Sequence, residues 1–197
     1  GTLLSLSDAG ISSISLTSKK SVITDSNGNR QLTTGTYTKT DGSTGKISDY
    51  ELQSDPMNSI ATDWLEVSDE IAALPDIPGM GKMYSLHQAM ARDEELTALI
   101  KTFINAPDAS TRQSLIPQII YKWADVENIA SDSRGIQMDA KDLTALEKFM
   151  GSEFLGVAHS GIPNSTAANL LENAFAILKS YIYAELTSQT ALKPIYE

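Results

Sequence analysis

The chain has 197 residues, 41% of them apolar, and no apolar run approaches the roughly 20 residues of a membrane-spanning helix, so we expect no membrane insertion. Its formal charge of −10 disfavours binding to nucleic acids and to anionic membranes, because an acidic surface repels phosphate groups. The absence of cysteine excludes disulfides, thiolate metal sites and a cysteine nucleophile.

The first 55 residues are rich in Ser, Thr, Gly and Asp, a composition that favours short strands and tight turns. Turns are expected at residues 25–29 and at Asp41-Gly42, because Asn and Gly tolerate positive φ angles. We predict a small antiparallel β-meander of three or four strands over residues 1–55, too small to be stable without a supporting surface. The predicted strands lie at residues 11–16, 21–24, 35–40 and 43–50.

Residues 56–81 predict an irregular connector. Apolar residues occur here without a clean period, and Pro75 and Pro78 interrupt any long helix. We expect an extended segment with at most one short helix, near residues 67–73.

Helical periodicity dominates residues 82–197, which predict a bundle of four to five helices. The first predicted helix begins at Lys82. Asp93 and Asp139 are placed to cap two later helices, and Gly151 is placed to end the second of these. The whole chain is therefore predicted to be mainly α, with the β-meander making it α+β overall.

Two other helices in this region have less certain ends by sequence. Ser110 has capping-box spacing, while Pro117 predicts either a kink or a helix that begins just before it. The last helix is predicted to begin near Asn164 or Ser165 and to be limited by Pro194. Its predicted apolar stripe is Leu170, Leu171, Ala174, Leu178, Tyr181, Ile182 and Leu186.

Two loops carry oxygen ligands that are candidates for a metal ion. Asp25 and Asn27 alternate in a hairpin turn, and Asp132 and Asp139 flank a second loop. Turn formation is the alternative role for the first pair, and helix capping is the alternative role for Asp139. The EF-hand pattern fails in the second loop, because it would place Lys141 at the last ligand position.

Catalytic chemistry has little support in the sequence. The two histidines, His87 and His159, lack a partner at metal-site spacing and a nucleophile motif around them. We predict no catalytic residue and no cofactor in this chain.

Two stretches of the first 55 residues resemble a known class of protein. They are LLSLSDAGISSI at residues 3–14 and TGTYTKTDGSTG at residues 34–45. Both are similar to the end of the calcium-dependent self-processing module of RTX, or haemolysin-type calcium-binding, exoproteins. The aspartate-rich calcium loops of that module and the RTX glycine-aspartate repeats are absent from this chain.

The later part of the chain resembles the helical segment that follows this module in the same exoproteins. The resemblance implies a secreted protein that uses type I secretion, an extracellular or bacterial cell-surface location, and calcium bound by neighbouring modules. The similar stretches are LPDIPGMG at 74–81, SLHQAM at 85–90, IIYKW at 119–123, SRG at 133–135 and LEKFMG at 146–151.

The resemblance leaves three functions open. The first is a non-enzymatic structural or interaction module whose partners are adjacent modules of the parent polypeptide. The second is the distal part of a self-processing module, with Asp55-Pro56 as the candidate cleavage bond; a linker turn is the alternative role for that dipeptide. The third is a module that binds a protein or glycan on a host or cell surface.

Overall fold

The computed structural model describes residues 3–196, apart from the side chain of Tyr196. The chain divides into two compact units between Asp55 and Pro56. We call residues 3–55 the sheet unit and residues 56–196 the helical unit. The prediction of an α+β chain is confirmed, since the described residues form one four-stranded antiparallel sheet and seven helices.

The sheet unit is organised around one long central strand. Strand β3 pairs with β4 along one edge, from Arg30 opposite Glu51 to Thr38 opposite Thr44. Both β1 and β2 are antiparallel to β3 as well, so they lie in line along its other edge. The strands are β1 (Ile11–Ile14), β2 (Lys19–Thr24), β3 (Arg30–Lys39) and β4 (Thr44–Glu51).

The predicted meander is wrong at its first connection, because β1 pairs with β3 and not with β2. Residues 15–18 contain no Gly, Asn or Asp, so the chain has no residue there that readily adopts the positive φ of a tight hairpin turn. It continues instead along the same edge, and the N–H of Ser15 donates to the carbonyl of Thr36 at 2.9 Å.

The sheet unit has no core of its own: none of its described residues is buried. Leu3 and Leu16 are almost fully exposed, and Val22 and Ile23 on β2 are more than half exposed. The ring of Tyr37 makes one close contact in this unit. It lies over Gly45, and a Cβ added at Gly45 would be 2.4 Å from the ring. The strand ladder, and not side-chain burial, therefore supplies most of the order in this unit.

The helical unit contains four helices of eleven residues or more and three short ones. One short helix, Asp69–Ala72, lies where a short helix was predicted near residues 67–73, and residues 82–196 contain six α-helices against the predicted four to five. The short helices are single turns or slightly longer, and their sequences are too brief to show a period. The helices are α1 (Asp69–Ala72), α2 (Leu86–Met90), α3 (Glu94–Ile104), α4 (Ala109–Trp123), α5 (Ala140–Met150), α6 (Ser165–Ser188) and α7 (Lys193–Tyr196).

Four predicted helix ends are confirmed. Asp93 accepts hydrogen bonds from the first turn of α3, at 2.9 Å from the N–H of Glu95. Asp139 caps α5 in the same way, and Asn164 caps α6. Gly151 ends α5 with a φ of 75°, a left-handed conformation that glycine adopts without strain.

Two predicted helix starts are wrong. The first helix begins at Leu86 and not at Lys82, because the N–H of Lys82 donates to the carbonyl of Lys148. Helix α4 begins before Ser110, since the carboxylate of Asp108 accepts from Thr111 and takes the cap.

Two prolines bear on further boundaries, and one alternative for Pro117, a helix that begins just before it, is wrong. Helix α4 continues through Pro117, which removes only the intrahelical bond of the carbonyl one turn earlier. Helix α6 ends at Ser188, well before Pro194, which lies inside α7.

One core connects the long helices. Helix α4 packs against α3, α5 and α6, and the ring of Trp123 meets the ring of Phe149 edge-on at 5.1 Å. Ile77, from the segment predicted as a connector, is fully buried in this core. The buried residues of α6 are Ala168, Phe175, Leu178, Ile182, Leu186 and Thr187.

The predicted stripe of α6 is therefore partly wrong. Leu170 and Tyr181 are exposed, whereas Phe175 faces the core. The buried positions from Ala168 to Leu186 are spaced by three, four or seven residues, and Leu170 and Tyr181 lie away from that face of the helix. No helix among the described residues is both long and apolar enough to cross a membrane.

Substitution of Gly81 tests how closely the backbone packs at the end of α5. Its φ is 62°, and an added Cβ would lie 2.3 Å from the carbonyl oxygen of Lys148. We expect Gly81→Ala to lower the free energy of unfolding by at least about 2 kcal/mol, from left-handed strain plus steric overlap. Urea denaturation followed by helical circular dichroism measures this loss.

Gly135→Ala is the matched control, because Gly135 also has a positive φ but meets only the exposed side chain of Ile162. We expect this control to lose about 1 kcal/mol. Equal losses for the two variants would contradict the close packing at Gly81.

Candidate functional site

Asp55 and Pro56 are the residues on the two sides of the boundary between the units, and both are exposed. The proline side of this peptide bond is held by the helical unit. The N–H of Gly81 donates to the carbonyl of Met57 at 2.7 Å, and Gly151 approaches the carbonyl of Pro56 so closely that a Cβ there would be 2.0 Å away. The segment after the bond is therefore seated on the end of α5.

An exposed Asp-Pro bond has its own chemistry. The aspartate carboxylate can attack its own carbonyl carbon, and the proline nitrogen leaves as the bond breaks. The structure places this candidate bond at an accessible position, and cleavage there stays a prediction.

The candidate metal ligands Asp25 and Asn27 belong to the sheet unit. The carboxylate of Asp25 accepts hydrogen bonds from the N–H groups of Asn27 and Asn29, at 2.8 and 2.9 Å, and from the side chain of Asn29. These bonds, led by the Asn29 side chain, lower the pKa of Asp25 below its usual value. A cation would have to displace them, so calcium binding at this turn stays a prediction.

The other two candidates, Asp132 and Asp139, belong to the helical unit. The backbone carbonyl of Asp132 accepts from the N–H of Gly135 at 3.0 Å, and one carboxylate oxygen of Asp139 accepts from the N–H of Lys141 at 2.8 Å. Within the described residues, no three His, Asp or Glu side chains are grouped so as to hold a metal ion.

The two histidines occupy structural positions. The Nε2 atom of His87 lies 2.8 Å from the carbonyl of Leu74, and its Nδ1 atom lies 3.7 Å from the carboxylate of Asp76. His159 ends a short 3-10 turn, Val157–His159. His87 therefore fixes the segment before α2.

A buried ion pair that sequence reasoning missed holds two loops on α5. The guanidinium of Arg134 makes two bonds of 2.9 Å to the carboxylate of Glu147, and it also donates to the carbonyl of Gly161. The same carboxylate accepts from the N–H of Phe154 at 2.8 Å. Glu147 is only 7% exposed, and the pair raises the pKa of Arg134. The sequence held one sign of this ion pair: Glu147 comes four residues after Leu143, so it lies on the core-facing side of α5.

Two glutamines, also missed, hold the segment that leads from the boundary to α2. Gln88 is buried, and its side-chain amide accepts from the N–H of Leu65 at 2.9 Å and donates to the carbonyl of Leu65 at 2.8 Å. Gln189 forms the same pair of bonds with the backbone of Asp76, at 3.0 and 2.7 Å. Each amide imitates one rung of a β-ladder, so an irregular segment gains fixed geometry.

The fixed segment presents an exposed aromatic ring. The indole of Trp64 is 58% exposed, although its N–H donates to the carbonyl of Ala61 at 2.6 Å. It lies in an open cleft of about 350 Å³ between this segment and the start of α2. We call this cleft the Trp64 groove; its main lining residues are Ser59, Ile60, Trp64, Asp76, Pro78 and Tyr84.

The rim of the Trp64 groove is a polar network. The hydroxyl of Tyr84 donates to the carboxylate of Asp63 at 2.6 Å, which lowers the pKa of Asp63. The guanidinium of Arg92 lies 4.0 Å above the ring of Tyr84 and donates to the side chain of Gln88. Arg92 also lies 3.5 Å from the carboxylate of Asp63 and donates to the backbone carbonyl of Asp63. The positive charge of Arg92 is therefore neutralised within the rim.

Two comparisons relate the chain to known proteins. Residues 1–53 match the SPM domain family. The chain is 32% identical over 126 residues to the iron-regulated protein FrpA of Neisseria meningitidis serogroup C. That alignment covers 64% of this chain and 11% of FrpA, so the chain is similar to a small part of a much larger protein. No solved structure matches the chain.

The extent of the SPM match agrees with the sheet unit. The SPM match ends at residue 53, two residues before the boundary at Asp55. The FrpA alignment of 126 residues is longer than the sheet unit, so it must extend into the helical unit.

The ion pair of Arg134 with Glu147 is open to a direct test. We expect Arg134→Ala to lower the free energy of unfolding by about 2 to 4 kcal/mol, because it leaves a nearly buried carboxylate without its partner. Lys101→Ala is the control, since Lys101 pairs with Glu70 at the surface and should lose less than about 1 kcal/mol. Urea denaturation measures both values, and a loss no larger than that of the control would refute a structural role for Arg134.

Proposed function

We propose that this chain is a non-enzymatic structural and interaction module of a large secreted RTX-type calcium-binding protein, located outside the cell or on the bacterial surface. The observation that carries the proposal is the contrast in burial between the two units. The helical unit has a continuous core, whereas none of the residues 3–55 is buried. A sheet of this size without a core needs a second surface to cover it.

The exposed residues of the sheet unit indicate the kind of surface that would cover it. Leu4, Leu6, Tyr50 and Leu52 are each more than half exposed, in addition to Leu3 and Leu16. Burying such side chains stabilises a contact by roughly 25 cal/mol per Å² of apolar area. An apolar face on an adjacent module of the parent polypeptide is the partner that fits best.

The comparisons support this assignment of the partner. The match to FrpA accounts for a small fraction of that protein, which leaves a long polypeptide available for adjacent modules. Calcium belongs to those modules in this proposal. It would act on this chain indirectly, by ordering the surface on which the sheet unit docks.

Trypsin digestion tests the docking proposal, because Lys19, Lys20, Lys39 and Lys46 are all exposed on the sheet unit. We expect rapid cleavage at these lysines in this chain. In a longer chain that includes the preceding part of the parent polypeptide, calcium should suppress that cleavage. Equally rapid cleavage in both chains, with calcium present, would contradict docking on an upstream module.

A second candidate function is favoured by the boundary itself. Asp55-Pro56 is exposed, lies between two compact units and has its proline side held by the helical unit. This arrangement suits a cleavage that separates the sheet unit from the helical unit without unfolding either one.

Mass spectrometry after incubation with millimolar calcium distinguishes the two functions. A structural module keeps the mass of the intact chain, as should the Asp55→Asn control, which lacks the attacking carboxylate. A new fragment that ends at Asp55, formed in calcium but not in magnesium and absent from the control, would make processing the function instead.

A further inference from the structure

We propose that the Trp64 groove binds an arginine or lysine side chain of an extended polypeptide partner. This inference rests on the interaction role proposed above and gives it a site and a ligand chemistry. All of the residues that line the groove belong to the helical unit.

The aromatic ring supplies the first half of the recognition. The indole N–H of Trp64 is already bonded to Ala61, so the ring faces and not the N–H remain for a partner. Trp is the strongest aromatic partner for a cation, which is attracted to the negative face of the ring. Ile60, which is 83% exposed, extends the apolar wall alongside.

The charges of the groove supply the second half. None of the described residues that line the groove is basic, and its charged group is the carboxylate of Asp76, whose side chain is 38% exposed. One oxygen of this carboxylate accepts from the N–H of His87 at 2.8 Å, and the other lies 3.7 Å from the His87 ring. The nearby Asp63 is already paired with Arg92, so Asp76 carries the charge of the groove. A cationic side chain is the ligand that complements an aromatic face beside a carboxylate.

The same charges argue against other partners. A groove with carboxylates, in a chain of net charge −10, repels phosphate groups and acidic peptides. A polypeptide that carries spaced arginines or lysines avoids this repulsion and can place its backbone along the open cleft.

The groove is preorganised, which lowers the entropic cost of binding. Gln88 fixes the backbone of Leu65, the residue after Trp64, and Gln189 fixes the backbone of Asp76. Both recognition groups therefore have their positions before the ligand arrives. Rigid aromatic anchors of this kind contribute most to binding at small interfaces.

Indole N–H resonances in a ¹H–¹⁵N NMR titration test the proposal with an internal control. The chain has two tryptophans: Trp64 is exposed, whereas Trp123 is buried and donates to the carbonyl of Tyr84. The probe is a capped peptide of alternating arginine and glycine. We expect saturable shifts of the Trp64 resonance at millimolar peptide, and smaller shifts of the Trp123 resonance, because Trp123 is buried and its N–H reaches only the backbone of the groove residue Tyr84.

A citrulline peptide of the same sequence keeps the shape of arginine but lacks the charge. We expect it to bind about three- to tenfold more weakly, the factor expected for loss of one cation–π contact. Equal shifts from the two peptides, or no shift of Trp64 with the arginine peptide, would overturn the proposal. A neutral oligosaccharide that shifts Trp64 when the arginine peptide does not would overturn it as well.

Charge-matched variants separate the groove from a general electrostatic effect. Asp76→Asn removes the carboxylate but keeps an acceptor for His87, and Glu172→Gln removes one charge from the exposed side of α6. We expect weaker binding of the arginine peptide for Asp76→Asn alone. Equal effects of the two variants would overturn the site.

The outcome of this titration is independent of the trypsin experiment. If calcium protects the longer chain from trypsin but the arginine peptide does not bind, the docking role stands and the groove assignment fails. If the peptide binds without upstream protection, the groove stands and docking of the sheet unit fails.

Discussion

The apolar face of helix α4 is the constraint on which the helical unit depends. Ile116, Ile119, Ile120 and Trp123 are all buried there, and α3, α5 and α6 each pack against this helix. The irregular segment before α2 is held to the same unit by the burial of Ile77 and by polar contacts to its backbone, which lacks a regular ladder. Core packing therefore sets the positions of the helices, and two glutamine amides set the position of the groove.

The sheet unit lacks a comparable constraint. Its strands satisfy backbone hydrogen bonds, but the side chains on both faces remain in contact with water. Apolar burial is the dominant favourable term in folding, so a unit without it has little stability of its own. This difference in apolar burial is the reason why we propose that the sheet unit docks on another surface, and that the helical unit is a self-sufficient scaffold with a groove.

The sequence predicted those features that depend on local chemistry. Caps at Asp93 and Asp139 and the stop at Gly151 were correct, because each depends on a few neighbouring residues. The pairing of β1 with β3 and the burial of Phe175 in place of Leu170 were missed, since both depend on distant partners. The groove was missed for the same reason: Gln88 and Gln189 are ordinary polar residues until the fold brings them to Leu65 and Asp76. The alternative helix start just before Pro117 was wrong, because α4 continues through this proline while it packs against α3, α5 and α6.

Amide hydrogen exchange on the intact chain tests the central claim, that the helical unit is stable by itself and the sheet unit is not. Exchange rates report the free energy of the opening reaction at each N–H group. The amides of Ile119 and Ile120 in α4 should exchange only through global unfolding of the helical unit, and those of Thr34 and Tyr37 in β3 should exchange much faster. Exchange in β3 as slow as in α4 would contradict the claim, because it would show that the sheet unit is stable without a covering surface.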